Sequence, residues 1–80
     1  MISREKIEKQ FGSVIFEFEI PHIGWELDSK VWICEKDGKR KLVLSDHGKP
    51  YVASVAELSE NVNSLNDVII KMNRAIEYLK

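Results

Sequence analysis

Val31-Trp32-Ile33-Cys34-Glu35-Lys36-Asp37-Gly38-Lys39-Arg40-Lys41-Leu42-Val43-Leu44 reads as a β-hairpin, and the fold follows from it. Asp37-Gly38 is a two-residue loop of the type I′ kind, flanked by two strand-forming runs. A two-residue loop fixes the register. Lys36 faces Lys39, Glu35 faces Arg40 and Cys34 faces Lys41. Further back, Ile33 faces Leu42, Trp32 faces Val43 and Val31 faces Leu44. One face then carries Val31, Ile33, Leu42 and Leu44, with Glu35 and Arg40 near the turn. The other carries Trp32, Cys34 and Val43, diluted by Lys36, Lys39 and Lys41. A slip of one residue would exchange the faces. The all-aliphatic face is expected to meet the helices.

Upstream, Ser13–Ile20 alternates with period two. Val14, Phe16, Phe18 and Ile20 are expected on one side, with Ile15, Glu17 and Glu19 on the other. Pro21 ends this strand. Before it lies a short helix, with Ser3 as N-cap, Glu5 at the positive end and an Ile2–Ile7 staple. Ile7 and Phe11 share a face, and Gly12 offers the stop. Residues 21–29 mix Ile23, Trp25 and Leu27 with Gly24, Asp28 and Ser29, and read as a loop with a short extended piece.

Downstream, residues 46–50 form a second turn cluster, and Tyr51-Val52 read as a short edge strand. Ser54-Val55-Ala56-Glu57 matches a capping box. From there Val55, Leu58, Val62, Leu65, Ile69, Met72, Ile76 and Leu79 recur at alternating spacings of three and four, with Val68 and Ala75 widening the stripe. The uncharged flank of Ser59, Asn66 and Asn73 suits a helix packed on its own domain better than a zipper. A straight helix over 54–79 would be about 39 Å long. A seven-residue strand spans only about 23 Å. Either the helix breaks in the stretch 61–66, rich in poor helix formers, or the surplus stripe packs on a second chain.

Composition bounds the rest. The chain has a mass of 9.3 kDa, one cysteine and a net charge of −1. A single domain over 1–80 is expected, hiding roughly 60% of its unfolded surface, with no internal disulfide. Hydrophobic residues at 44% and charged ones at 31% exclude a disordered chain. No apolar run is long enough to span a membrane. The start MISREKIEKQ lacks the apolar core of a secretory signal, so a cytoplasmic protein is expected. The one basic block is Lys36, Lys39, Arg40, Lys41 and Lys49.

Three functional classes were weighed on these residues. Catalysis would have to use Cys34, His22, His47 and the carboxylates. Contiguous Ser45-Asp46-His47 cannot take triad geometry, and no second ligand stands at metal spacing from His22. Lys41 opposite Cys34 could lower its pKa, but a buried sheet cysteine is the simpler reading. No catalytic residue, metal or cofactor is expected. Nucleic-acid binding would use Lys36, Lys39, Arg40, Lys41 and Lys49. A pI of 6.1 argues against it as the main role, and the lysines also serve to discourage edge pairing. Protein binding would use Trp25, Trp32, Val43 and Ile15 on the sheet, or Val62 and Leu65 on the C-terminal helix. The latter pair would support a homodimer.

The order helix, three strands, helix resembles the double-stranded-RNA-binding domain, though the final helix here opens Ser54-Val55-Ala56-Glu57-Leu58-Ser59-Glu60 without a lysine cluster. It is equally similar in element order to small accessory proteins of phages and mobile elements, some anti-CRISPR inhibitors among them. That likeness implies a non-enzymatic partner or inhibitor protein. The expected fold is α+β: a short N-terminal helix, an antiparallel meander of three to four strands, and a long or broken C-terminal helix on one sheet face. The expected function is a protein-binding module.

Overall fold

The computed structural model describes residues 3–21, 29–46, 48–62 and 66–80, apart from the side chains of 29, 46 and 61. In chain order these form α1 (Arg4–Phe11), β1 (Ser13–Ile20), β2 (Ser29–Lys36), β3 (Lys39–Asp46), β4 (Lys49–Val52), α2 (Val55–Val62) and α3 (Asn66–Leu79). The strands make one antiparallel meander in the order β1-β2-β3-β4. The α+β reading therefore holds. Ile2, the segment 22–28 with His22 and Trp25, His47, and residues 63–65 with Leu65 lie outside the described residues.

The hairpin forms as its turn requires. Asp37 and Gly38 both take positive φ, +54° and +74°, the signature of a type I′ turn. Every β2–β3 pair from Lys36↔Lys39 to Val31↔Leu44 matches the register read from the sequence. Val31, Ile33, Leu42 and Leu44 accordingly share a buried core with Leu58, Val62, Val68 and Ala75 of the C-terminal helices.

β1 departs from simple alternation. Its register against β2 shifts between Val14 and Phe16, where a bulge inserts one residue. An extra residue reverses which side the strand shows on either side of it. Phe16, Phe18 and Ile20 face the C-terminal helices as expected, and Ile15 packs on that core as well. Val14 instead joins Ile7, Trp32, Cys34 and Val43, with Phe11 against them, on the opposite face. The expected grouping of Val14 with Phe16 is thus corrected, and so is the grouping of Ile15 with Glu17.

α1 covers that second face. Ser3 Oγ accepts the Lys6 amide at 3.3 Å, the expected cap. Arg4 and Glu8, one turn apart, straddle Val14: Arg4 donates to its carbonyl at 3.1 Å, and its amide donates to Glu8 Oε2 at 3.1 Å. The bulge frees these backbone groups from the ladder, and α1 satisfies them. Gly12 ends the helix with φ +109°, its amide donating to the Glu8 carbonyl. Its backbone lies against β2, so a Cβ there would overlap the Glu35 carbonyl oxygen and meet Lys36 Cβ at 2.8 Å.

The C-terminal stripe is divided between two helices. The capping box opens α2, with Ser54 Oγ accepting the Glu57 amide at 3.1 Å and Glu57 Oε1 accepting the Ser54 amide at 3.2 Å. α2 ends at Val62, and α3, which starts at Asn66, packs back against it. A straight helix could not make that contact, so the first of the two sequence alternatives is realised. Within α3 the fully covered side chains are Val68 and Ala75, while Ile69, Met72, Ile76 and Leu79 are half-buried. The buried centre is therefore rotated toward the two smaller residues, which let the helix axis approach the sheet. At its far end Arg40 donates to the Tyr78 carbonyl at 2.8 Å and to Glu35 Oε2 at 2.8 Å. A cation on the last carbonyls suits the negative end of α3.

The two glycines give a stability test. Gly38→Ala meets only the positive-φ penalty, about 1–2 kcal/mol, because nothing lies within reach of a Cβ. Gly12→Ala meets the same penalty plus overlap with β2 backbone, and is expected to lower the urea midpoint clearly more. Equal midpoints for the two variants would contradict the α1–β2 approach.

Candidate functional site

Each residue singled out in the sequence can now be placed. Trp32 and Val43 are paired across β2–β3 and buried beneath α1, next to Ile7 and Val14. Val62, at the end of α2, is buried in the core shared by the sheet, α2 and α3. None of these three offers a surface to a partner, because α1 and the helix turn-back already cover them. Ile15 is half-buried beside the bulge. Trp25 and Leu65 fall outside the described residues. The Trp32 indole N–H is buried without a hydrogen-bond partner among the described residues.

The basic residues separate into two groups. Lys36, Lys39 and Lys41 share the sheet face that carries α1, since Lys36 opposes Lys39 and Lys41 opposes Cys34. Arg40 and Lys49 belong to the other face, by their pairing with Glu35 and Asp46. Arg40 is already committed to Glu35 and the end of α3. An open depression of about 480 Å³ lies beside it, lined by Glu35, Gly38, Arg40, Leu79 and Lys80. The polar walls of that depression largely bond each other.

Cys34 sits wholly buried in the α1 core. Burial, with the nearby Glu8 carboxylate as a smaller cause, pushes its thiol up from 9.0 to about 11. The lowering by Lys41 weighed from sequence is not what the surroundings produce. At neutral pH the group is a protonated thiol packed as a small apolar side chain. Among the described residues no group of three or more His, Cys, Asp and Glu side chains could hold a metal ion, and no helix is long and apolar enough to cross a membrane.

A second polar group lies toward the other end of the sheet. Glu17 takes Arg4 at 3.7 Å and Lys30 at 3.5 Å, and all three are partly exposed. Such pairs contribute little each, about 0–1 kcal/mol. Their effect is to tie α1 to the β1–β2 edge. Sequence reading missed this tie because it depends on the bulge, which places Arg4 above β1.

What remains exposed is a different set. Among the described residues Tyr51, Val52, Val55 and Ile70 are the large apolar side chains left open to solvent. Three of them fall within five residues, at the edge strand and the start of α2. Their proximity could have been read from the sequence, but their exposure could not. No family model, no curated protein and no solved structure matches this chain.

Two predictions follow the burial of these groups. Trp32→Ala removes a fully covered indole and is expected to cost about 3–5 kcal/mol in urea unfolding. A change below 1 kcal/mol would contradict its burial. The raised thiol has a definite sign. Below pH 9.0 both folded and unfolded chains hold the Cys34 proton, so its stabilising contribution is complete. Between 9.0 and about 11 the unfolded chain loses the proton first, and that contribution fades as pH rises. The gap in stability between the parent and Cys34→Ala should therefore narrow from pH 8 to pH 11. A widening gap would mean that the thiol is not buried as described.

Proposed function

We propose that the protein is a non-enzymatic protein-binding module whose contact surface is the β4 edge together with the start of α2. One observation carries this reading: Tyr51 is 40% exposed, Val52 53% and Val55 40%, three of the four exposed large apolar side chains among the described residues. Side chains of this kind in one short stretch are what partner surfaces present. Tyr51 pairs with Leu44 and Val52 with Val43, so the two turn to opposite faces and the apolar surface is a narrow rim around the β4 edge, which suits a transient contact better than an obligate one.

Strand addition is a poor mode for it. Ala53 donates to the Leu42 carbonyl, so residue pair 42/53 is a hydrogen-bonded one. By alternation Pro50 and Val52 turn their backbone groups outward. Pro50 has no N–H, which leaves the Val52 N–H as the one donor on the open edge of β4. Contact through side chains is therefore favoured over backbone pairing. An accessory or inhibitory role toward a partner protein is consistent with such a surface.

Charge placed on the patch tests this reading. Val52→Glu with Val55→Glu is expected to abolish capture of the proteins retained by the parent in paired pull-downs. Ile70→Glu, at a more exposed apolar position on α3, should leave capture intact. Unchanged capture by a folded Val52→Glu/Val55→Glu variant would move the contact elsewhere.

A further inference from the structure

The lysines of the hairpin tip do not stand alone, because α1 runs toward them. α1 starts beside Val14 and Glu17, where Arg4 bonds, and ends at Gly12 against Glu35 and Lys36. Lys9 lies in its last turn. Ile7 faces the sheet, so Lys6 and Lys9 lie away from the buried side. Lys6, Lys9, Lys36, Lys39 and Lys41 are all exposed. None of the five makes an ion pair among the described residues, whereas Arg4, Lys30, Arg40 and Lys80 do. The acids on this side are Glu5, Asp37 and Glu8, which keeps its charge while accepting the Val14 amide, so five ammonium groups stand against three carboxylates. A chain of net charge −1 thus gathers a positive surface on one side of one hairpin.

We infer that this surface, made of Lys36, Lys39 and Lys41 with Lys9 and Lys6 of α1, binds the phosphate backbone of a nucleic-acid duplex without regard to sequence. The shape agrees. β4 pairs with β3 only from Val43 to Asp46, so the tip beyond Leu42 has no neighbour on that side. On the other side β1 flanks β2 as far as Glu35, so the lysines form an open face beside α1 rather than a free ribbon, a surface that meets backbone phosphates without entering a groove. The chemistry agrees as well. Ammonium groups act on phosphates as point charges, while base reading relies on forked donors such as arginine. The tip's one arginine is held by Glu35 and Tyr78 on the opposite face. A membrane surface is the less suitable polyanion, because segment 36–41 carries no apolar side chain to insert.

The surface is independent of the Tyr51–Val55 patch, so either can fail without the other. The test is a fluorescence-anisotropy titration of a labelled DNA duplex at 50 and 200 mM salt, with the full chain. Engagement of about four phosphates lowers affinity about 100-fold between these salts. Lys36→Gln/Lys39→Gln/Lys41→Gln should weaken binding at least tenfold at 50 mM and flatten the salt dependence. Lys49→Gln/Lys71→Gln/Arg74→Gln removes equal charge from other sites and should stay near the parent. Thermal melts of both triple variants, expected to match the parent, keep misfolding apart from lost contact. No binding up to roughly 100 µM at 50 mM salt, beyond the usual non-specific range, would overturn the proposal. So would equal loss in both variants, or binding to anionic lipid vesicles in place of the duplex.

Discussion

Between Val14 and Phe16 the β1–β2 ladder loses register, and the Val14 backbone turns to α1 for its hydrogen bonds. Much follows from that one inserted residue. It sends Val14 to the α1 side while Phe16, Phe18 and Ile20 stay with the C-terminal helices. It exposes an amide and a carbonyl that would be costly to bury unpaired, about 1–3 kcal/mol each. Arg4 and Glu8 stand at the spacing of one helical turn and meet both groups. An eight-residue helix is marginal on its own in water. Here it is held by the apolar contact of Ile7 and by these two bonds.

The consequence is a sheet covered on both faces by one short chain. On one face, α2 and α3 fold against each other and close over Val31, Ile33, Leu42 and Leu44. On the other, α1 closes over Trp32, Cys34 and Val43. Arg40 joins the two halves of the architecture at the hairpin end, where its guanidinium links β2, β3 and the last turn of α3. Trp32, Val43 and Val62, among the described residues, are consumed internally. Among the described residues, exposed apolar side chains gather at the β4 edge and unpaired lysines at the hairpin tip.

Much of this was legible in the residues. Asp37-Gly38 dictated its turn, and the turn dictated the hairpin register, because positive φ at both positions suits no other common two-residue loop. Ser54 and Glu57 marked the start of α2, and the poor helix formers at 61–66 marked where the stripe divides. Two things were not legible. A bulge leaves no sign in the alternation of Val14, Ile15 and Phe16, all apolar, so period-two reading placed Val14 on the wrong face. Whether α1 covers Trp32 or leaves it open could not be decided from the residues, because a helix with Ile7 and Phe11 can lie on either side of a sheet. The interface candidates Trp32 and Val43 failed as surface residues for that reason. Lys36, Lys39 and Lys41 were readable as a group, yet their separation from Arg40 and their nearness to α1 required the folded register.

The bulge can be examined directly by proton NOEs in solution, on a chain of 9.3 kDa. The Val14 methyls are expected to show NOEs to the Ile7 side chain and the Trp32 indole, and none to Leu58 or Val62. NOEs from Val14 to Leu58 and Val62, with none to Ile7, would mean that β1 alternates without interruption. The two-sided packing described here would then be wrong.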